Sequence, residues 1–521
     1  MSTKIRYGLI GLILLALALR LHDFFFGSFQ ADEALFASLA RLIAVFRDPL
    51  LQNQLVDKPP LLFYLQALFY PLLGPVVQAA RLPNLIASIF LVPLSFVLTW
   101  RLYRQEATSF MVALLIALSP LVIQYSATAY IDPLLITLLT LTLVIVARNS
   151  PVNSLRINRT SEQNNGQDQH GSTGAANHDF APWAAGLVFG LALAAKYQAI
   201  LYLPLIIGLV LINQWRRRQW LQGFSAFAGV LAILLLWDFA QDGKLSLLGN
   251  QWRSIGGLRF IWSYELTGRL DQLMQNWISI FPYPAFMITV VVGTPVFIDS
   301  FFRRRNRSAA VDLLLLLFAL GYFLLHWLVA IPIWSRYVLL VSPILIILFV
   351  RLVVKLARFS TGLVDNRTTT RFAAASLSWL LLAVLLLVAL GPAWNARNGD
   401  LKLSDYEQLD GSVEGIADFL SESSSGTVLY DHLYSWRWRY FLFDSETYVS
   451  WFANVQTLAN DLAVFGRDGT PRYIALPNNE TAQPIIRAVN DAGFQLESVI
   501  VQGLGENADV SLFQIVAGKD N

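Results

Sequence analysis

Residues 20–60, RLHDFFFGSFQADEALFASLARLIAVFRDPLLQNQLVDKPP, follow the first long apolar segment of the chain. This stretch carries the adjacent acids Asp32 and Glu33 and ends in Asp57-Lys58-Pro59-Pro60. The acids are surrounded by phenylalanines, namely Phe24, Phe25, Phe26, Phe29 and Phe36. Adjacent acids in a loop are commonly only solvated. The alternative is a general base at a membrane surface, with a nearby cation that holds an anionic lipid group.

The composition indicates a polytopic α-helical membrane protein. Of 521 residues, 55% are hydrophobic and 14% are charged, and the mean hydropathy is +0.52, which is far more apolar than a soluble chain of this length. We predict about eleven transmembrane helices. They lie at roughly 7–26, 81–101, 107–125, 131–147, 182–197, 199–214, 219–237, 276–301, 311–331, 337–357 and 372–393.

The distribution of Lys and Arg predicts the orientation in the plasma membrane. If the spans alternate, the basic clusters at 4–6, 101–104, 148–159, 216–218, 303–307 and 351–371 fall on one side. That side is the cytoplasm by the positive-inside rule. Residues 4–18 have features of a signal peptide, but the apolar run continues, so we expect an uncleaved first span. The first loop, 27–80, and the chain after 393 are then extracytoplasmic, and the net charge of +3 reflects topology and not nucleic-acid binding.

Two helices are expected to lie in the membrane interface within the first loop. Apolar residues from Leu35 to Phe46 recur at helical spacing with Arg41 and Arg47 between them, and a second apolar segment, Leu61 to Leu73, follows Pro59-Pro60. If Leu61 to Leu73 were instead a further span, the orientation of everything after it would be reversed.

Further charged residues occur at the predicted outer ends of spans. Asp132 precedes Pro133, Lys196 precedes Tyr197 between two apolar runs, and Arg336 precedes Tyr337. Each has an ordinary structural explanation: a helix N-cap for Asp132, snorkelling for Lys196 and interface anchoring for Arg336. The alternative is that they contact a substrate, with the cations binding phosphate.

The remaining segments define the domain organisation. Residues 149–180 are polar and are expected to form a flexible cytoplasmic loop. The outer segment 238–275 mixes Trp252, Trp262 and Tyr264 with Arg253, Arg259 and Arg269, which suits the headgroup layer or a sugar or phosphate site. We therefore predict a membrane domain over 1–393 and a small extracytoplasmic α/β domain over 394–521. The latter has helices at 412–422 and 482–492 and strands at 427–430, 472–476, 494–501 and 510–516.

Several kinds of site are disfavoured by the sequence. The chain has no cysteine, and its five histidines show no metal-ligand spacing, so neither a divalent metal nor another resident cofactor is predicted. No Gly-rich phosphate loop follows a strand, which argues against direct use of a cytosolic nucleotide. A donor that is already tethered to the membrane fits better.

The combination of these motifs resembles glycosyltransferase family 39, a branch of the GT-C fold. The matching segments are Arg20 to Asp23, Asp32-Glu33-Ala-Leu-Phe-Ala, Asp57-Lys58-Pro59-Pro60-Leu-Leu-Phe-Tyr, Arg81-Leu82-Pro83, Tyr130-Ile131-Asp132, 190–197 and Arg336-Tyr337. That branch contains protein O-mannosyltransferases and aminoarabinose transferases that act on lipid A. The resemblance covers about residues 7–360 and excludes the loop 149–180 and the C-terminal domain.

The resemblance implies transfer of a sugar from a polyprenyl phosphate, with inversion, on the extracytoplasmic face. Asp32 is the predicted base, because an acceptor hydroxyl must lose its proton as it attacks. Glu33 would orient the acceptor or Asp32, and Asp132 would position donor or acceptor. The remaining predicted substrate-binding residues are Lys58, Lys196 and Arg336, which would stabilise the departing phosphate, together with Asp57 and Tyr337. The partners would be the polyprenyl-phosphate sugar, membrane lipids and a protein, lipid or glycan acceptor, which offers a hydroxyl or a lipid phosphate.

Two other functions remain open on the sequence. A transporter or lipid flippase usually carries its ionisable residues near the middle of the bilayer, whereas here they lie at the ends of the spans. A non-catalytic partner in glycan assembly would keep the fold and lack the activity.

Overall fold

The computed structural model describes residues 3–147, 180–254, 257, 259–280, 289, 291–304, 306–361, 383–384, 387–404, 411–502, 504 and 508–518. The chain divides into two compact units. The first unit comprises Met1–Phe25, Asp48–Leu65 and Arg81–Asp405, and the second comprises Phe26–Arg47, Gln66–Ala80 and Tyr406–Asn521. The loop predicted at 149–180 lies, except for residue 180, outside the described residues. The division predicted at 393 stays a prediction.

Long apolar helices are prominent among the described residues, as expected of a polytopic membrane protein. Those long and apolar enough to cross a membrane are Ile5–Phe26, Val77–Tyr103, Arg217–Gln241, Arg307–Leu328 and Ser335–Ala357. Shorter apolar helices occur at Leu61–Leu73, Asp132–Val146, Ala181–Ala195 and Tyr197–Ile212. The count of about eleven spans stays a prediction, because the segments 276–301 and 372–393 lie partly outside the described residues.

The helical elements have the following bounds in chain order. The α-helices are Thr3–Phe26, Ala31–Ala44, Leu61–Ala67, Tyr70–Leu73, Val77–Tyr103, Glu106–Leu118, Pro120–Ser126, Asp132–Val146, Ala181–Ala195, Leu203–Ile212, Arg217–Asp242, Leu247–Ser254, Leu266–Ile278, Gly293–Arg304, Arg307–Leu328, Ser335–Val338, Ser342–Thr361, Ser412–Ser421, Ser435–Phe441, Val455–Phe465 and Gln483–Asp491. Short 3-10 helices cover Tyr197–Tyr202, Ser263–Glu265, Leu339–Val341 and Glu480–Ala482.

The span predicted at 107–125 is broken. Glu106–Leu118 and Pro120–Ser126 meet at an angle of 56°. Pro120 has no amide hydrogen to donate and disfavours helical geometry at Ser119, whose backbone is extended with ψ 119°. The Ser119 hydroxyl donates to the carbonyl of Ile280 at 2.7 Å, which gives the break a partner in another segment.

Small residues allow close packing between the helices Ala181–Ala195 and Arg217–Asp242. A Cβ atom at Gly186 would lie 1.9 Å from the carbonyl oxygen of Gly223, so only glycine fits at this crossing. Phe189 and Phe227 stack beside it with ring centroids 5.4 Å apart. This packing positions the C-terminal end of the helix Ala181–Ala195, which Lys196 follows.

A buried ionic cluster joins two of the long helices. The Asp312 carboxylate accepts hydrogen bonds of 3.0 Å from both Nε and Nη2 of Arg351, and Lys355 lies 3.0 Å from the same carboxylate. Asp312 is fully buried, and the guanidinium of Arg351 also lies 4.0 Å from the ring centroid of Tyr103. These contacts hold the helices to one another, so we assign the cluster a structural role.

The second unit contains a five-stranded sheet. Its strands are β1 (Val428–Asp431), β2 (Tyr448–Trp451), β3 (Arg472–Pro477), β4 (Phe494–Ser498) and β5 (Val510–Ala517). Their spatial order is β2-β1-β3-β5-β4, with β1 parallel to β2 and β3, and β5 antiparallel to β3 and β4. The predicted small α/β domain is confirmed, although β2 and the helices Ser435–Phe441 and Val455–Phe465 were not predicted.

Helices cover both faces of this sheet. Leu429 packs on one face with Trp438 of the Ser435–Phe441 helix, whereas its neighbour Tyr430 packs on the opposite face with Leu458. This alternation follows from the two-residue period of a strand.

The predicted amphipathic helix also belongs to the second unit and spans Ala31–Ala44. Arg41 donates to the carbonyl of Tyr440 at 2.6 Å and to the Asp444 carboxylate at 2.7 Å. Phe29 packs against the ring of Tyr440 at 4.9 Å. The helix that carries Asp32 is therefore attached to the sheet domain by an arginine and by aromatic contacts.

Candidate active site

Asp132 and Lys196 form a buried ion pair in the first unit. Asp132 opens the helix Asp132–Val146 with Pro133 behind it, and the turn before it is held by Asn84, whose side chain donates to the carbonyls of Thr128 at 2.7 Å and Tyr130 at 2.5 Å. Lys196 follows the last residue of Ala181–Ala195 in an extended conformation. Its Nζ lies 2.7 Å from Asp132 Oδ1.

Aromatic rings surround the cations of this region. The Nζ of Lys196 lies 4.6 Å from the ring centroid of Tyr337. The guanidinium carbon of Arg336 lies 4.7 Å from the ring centroid of Tyr130 and 4.5 Å from that of Trp334. Such cation–π contacts stabilise a charge that has lost part of its water. The site thus holds the Asp132–Lys196 ion pair and the Arg336 guanidinium among aromatic rings.

A cavity of about 440 Å³ opens beside this cluster, entirely within the first unit. Basic side chains line it, namely Lys58, Lys196 and Arg259, together with Tyr197, Gln198, Gln251 and Tyr337. The rest of its wall is apolar and consists of Ile200, Leu201, Phe260, Leu325, Val329, Ile331 and Pro332. A ligand with an anionic head and a hydrocarbon tail matches this division.

The loop that carries Lys58 is attached to the helix Arg217–Asp242 and to the helix that follows it. Gln52 donates to the carbonyl of Ala240 at 2.8 Å, and Gln241 donates back to the carbonyl of Leu51 at 3.1 Å. Nearer to the lysine, Asn250 donates to the carbonyl of Val56 at 3.1 Å. The Lys58 ammonium pairs with the neighbouring Asp57 carboxylate. These bonds place a loop cation at the cavity with little freedom of the main chain.

Arg269 holds the apolar wall of the cavity. Its Nη2 lies 2.9 Å from the carbonyl oxygen of His326 and 2.8 Å from those of Val329 and Ile331. Helix ends leave carbonyls without intrahelical partners, and the helix Arg307–Leu328 ends here. The guanidinium thus caps the helix and fixes the extended segment that follows it.

Asp32 and Glu33 lie in the second unit, at the start of the helix Ala31–Ala44. Asp32 is half-buried and Glu33 is fully buried. The Glu33 carboxylate accepts a hydrogen bond of 3.0 Å from the backbone amide of Gln30, a contact that satisfies one of the free amides at a helix start. Glu33 therefore fixes the first turn on which Asp32 stands. The catalytic roles of both residues stay predictions.

The structure brings many of the predicted residues together. Lys58, Lys196 and Tyr337 line one cavity, Asp132 and Asp57 pair with two of its lysines, and Arg336 adjoins Tyr337 at 5.8 Å. Arg259 was not among the predicted site residues. Its only sequence signal was a position among tryptophans and arginines in 238–275, which does not separate a cavity lining from a headgroup contact.

Comparisons with known proteins agree with this architecture. The family model described as dolichyl-phosphate-mannose-protein mannosyltransferase matches residues 57–156, which include Asp57, Lys58 and Asp132. No curated protein matches the chain.

Similar solved structures cover nearly the whole chain. ArnT from Cupriavidus metallidurans bound to undecaprenyl phosphate is 14% identical with a TM-score of 0.60, over 98% of this chain and 97% of that one. The apo state of the same protein is 12% identical with a TM-score of 0.57, over 92% and 93%.

A third match extends the likeness to an archaeal protein. The Archaeoglobus fulgidus oligosaccharyltransferase, tethered to an acceptor peptide, is 11% identical with a TM-score of 0.54, over 92% of this chain and 69% of that one. The predicted GT-C fold is thereby confirmed. The chain therefore has the GT-C fold and is similar, over residues 57–156, to the mannosyltransferase family model.

Proposed function

We propose that the protein transfers a sugar from a polyprenyl-phosphate donor to an acceptor on the extracytoplasmic face of the plasma membrane. The observation that carries this proposal is the cavity of about 440 Å³, which combines an apolar wall with Lys58, Lys196 and Arg259. Phosphate binds to such cations through charge-assisted hydrogen bonds, while the wall suits an isoprenoid chain. ArnT, which shares the fold, binds undecaprenyl phosphate.

The proposed chemistry is a single displacement at the anomeric carbon. Asp32 accepts the proton of the acceptor hydroxyl while the hydroxyl oxygen forms a bond to that carbon. The bond between the anomeric carbon and the phosphate oxygen breaks, and its electron pair leaves with the polyprenyl phosphate. Because the acceptor attacks opposite the leaving group, the configuration inverts.

The remaining residues take supporting roles in this proposal. Lys58, Lys196 and Arg259 stabilise the charge that grows on the departing phosphate. Asp132 holds Lys196 at 2.7 Å, and Tyr337 and Arg336 complete the surroundings of that pair. Glu33 holds the helical turn beneath Asp32. The reaction uses the lipid-linked sugar itself and needs no resident cofactor.

The proposed orientation follows from the basic clusters, which place residues 27–80 and the sheet domain outside the cytoplasm. Donors that have already been moved across the membrane would be available on that face. The proposed acceptor is a hydroxyl of a protein, lipid or glycan, or a lipid phosphate.

The direct experiment is transfer of labelled sugar by the purified protein in lipid, with a panel of polyprenyl-phosphate sugars and of candidate acceptors. The wild type is compared with Asp32→Asn and with Asp418→Asn, an exposed acid of the same unit. We expect product with the wild type and Asp418→Asn, and none with Asp32→Asn. Equal turnover by Asp32→Asn would refute its role as the base.

The same assay separates the alternatives. Donor binding without transfer by the wild type would favour a non-catalytic partner in glycan assembly. Movement of labelled lipid between leaflets, with no product from any donor, would favour a transporter or flippase.

A further inference from the structure

Arg259 is the one cavity-lining cation that lies in an exposed ion pair within the described part of the first unit. Its Nη1 and Nη2 each lie 2.7 Å from one oxygen of the Glu265 carboxylate. This bidentate geometry is the one in which arginine also binds phosphate. The carboxylate of Glu265 therefore occupies the donors that a phosphate at the cavity would use.

The two residues are anchored independently of each other. The main chain of Arg259 accepts a hydrogen bond of 2.8 Å from the amide of Ala330, beside the bridge between Phe260 and Val329. Glu265 accepts a hydrogen bond of 2.7 Å from the backbone amide of Trp262. The Arg259 guanidinium can therefore leave Glu265, and give up its 3.2 Å bond from Nη1 to the carbonyl of Phe260, while the main-chain bond to Ala330 and the turn that Glu265 stabilises stay in place.

The charge state supports competition between two anions. Hydrogen bonds from Arg259 and from the Trp262 amide lower the pKa of Glu265 to about 2, so the carboxylate is ionised at neutral pH. The side chains of Arg259 and Glu265 are 46% and 21% exposed. Exposed ion pairs of this kind contribute little free energy. A phosphate that also contacts Lys58 and Lys196 should therefore bind Arg259 more strongly than the Glu265 carboxylate does.

We propose that Glu265 is a competitor built into the donor site, which holds Arg259 when no lipid is bound and yields it to the lipid phosphate. This inference rests on the proposed function of the cavity. Binding then exchanges one anion for another at Arg259. The exchange lowers the affinity for the lipid phosphate, and it provides a replacement anion when the product, polyprenyl phosphate, departs.

A structural role for the pair predicts the opposite effect of the same substitution. If Glu265 only maintained the fold around Arg259, its loss would disorder the cavity and weaken binding. If Glu265 competes with phosphate, Glu265→Gln removes the competing charge, keeps an acceptor for the Trp262 amide and strengthens binding. The sign of the change therefore separates the two roles.

The experiment is equilibrium binding of undecaprenyl phosphate to the purified full-length protein in detergent. We compare the wild type, Glu265→Gln, Arg259→Gln and the double variant. The matched control is Asp299→Asn, which breaks another exposed pair, Asp299 with Arg303 at 2.6 Å, whose residues do not line the cavity.

We expect Glu265→Gln to bind about two- to fivefold more tightly than the wild type, the range set by an exposed ion pair. Asp299→Asn should bind as the wild type does, and Glu265→Gln should have no effect once Arg259 is glutamine. Unchanged or weaker binding by Glu265→Gln, beside a wild type that binds, would overturn the inference and leave the proposed function intact. A wild type that binds no undecaprenyl phosphate would instead overturn the proposed donor site itself.

Discussion

The Nζ atom of Lys196 lies 2.7 Å from the Oδ1 atom of Asp132, and the two side chains are only 7% and 2% exposed. Taking both charges out of water is costly, and their attraction offsets that cost only while both are present. Either residue alone would leave an uncompensated charge beside the cavity. The pair therefore links the stability of the first unit to the chemistry that we propose for it.

Single substitutions in this pair should cost both stability and activity. We expect Lys196→Met or Asp132→Asn to lower the free energy of unfolding by about 3–5 kcal/mol, the usual effect of breaking a buried pair. The double variant should regain much of the melting temperature, because no lone charge remains, but it should not regain sugar transfer. Thermal unfolding and transfer rates, measured on the same preparations, test this.

Lys196→Arg is the charge-preserving control for that experiment. It should be more active than Lys196→Met, although a planar guanidinium does not reproduce the geometry of an ammonium. Full activity in the double variant would show that the pair is structural only.

Glu33 should act through the first turn of its helix. Its carboxylate accepts a hydrogen bond from the backbone amide of Gln30. A glutamine side chain can accept the same hydrogen bond, whereas an alanine cannot. We expect Glu33→Ala to lose about 0.5–2 kcal/mol of stability, and Glu33→Gln to lose less. If the turn positions Asp32, then kcat falls in Glu33→Ala while KM for the donor stays the same.

Measurements of kcat and KM for the two Glu33 variants decide the matter. Equal loss of kcat in Glu33→Gln and Glu33→Ala, with unchanged melting temperatures, would mean that the charge of Glu33 acts directly on substrate.

Asp312 and Asp299 offer a comparison between a buried and an exposed acid. Asp312 is fully buried and contacts both Arg351 and Lys355, whereas Asp299 contacts Arg303 at the surface. We expect Asp312→Asn to destabilise the protein by about 3–5 kcal/mol, and Asp299→Asn by less than about 1 kcal/mol. Chemical or thermal unfolding in detergent measures both.

The KM of folded Asp312→Asn for the donor should match that of the wild type, since none of the three residues in its cluster lines the cavity. A changed KM would contradict the purely structural role that we assign to this cluster.

Arg41 should stabilise the helix that carries Asp32 against local unfolding. Its guanidinium bonds to the Tyr440 carbonyl and to Asp444, and it lies 4.2 Å from the ring centroid of Phe443. We expect Arg41→Met to raise the rate of amide hydrogen exchange in residues 31–44 and to lower kcat, because the helix loses its attachment to the sheet domain. Arg41→Lys should give an intermediate result.

Hydrogen exchange measured by mass spectrometry provides the test, with peptides from β3 as an internal reference. Unaltered exchange in 31–44 would show that the aromatic contacts alone hold the helix.

The sequence predicted the residue types of the candidate site better than their pairing. Asp132, Lys196 and Arg336 stood out because charge is rare in apolar runs, and they do gather in one region. That Lys196 pairs with Asp132 depends on how separate helices pack, which hydropathy does not encode. The position of Arg259 at the cavity depends on the path of an irregular segment and on the bridge between Phe260 and Val329. Neither feature has a periodic signal in the sequence.

The same limit appears in the secondary structure. Long apolar helices such as Arg307–Leu328 have a strong and continuous hydropathy signal, and the span predicted at 311–331 overlaps most of this helix. The edge strand β2, with only Tyr448–Trp451, is too short for alternation to identify it. The break at Ser119-Pro120 was missed because hydropathy continues across it, although the proline was a visible sign.

The discontinuous second unit has a consequence for how the protein is made. Arg41 of the helix Ala31–Ala44 is translated before its partners Tyr440 and Asp444, which follow it by 399 and 403 residues. At usual bacterial to eukaryotic synthesis rates the delay is roughly 20–80 s. Throughout that interval the helix Ala31–Ala44 lacks its partners Tyr440 and Asp444. A chain released before residue 435 lacks Tyr440 and Asp444 and cannot form this packing. We therefore expect quality-control proteases to recognise such products by the exposed contact surface of the helix Ala31–Ala44.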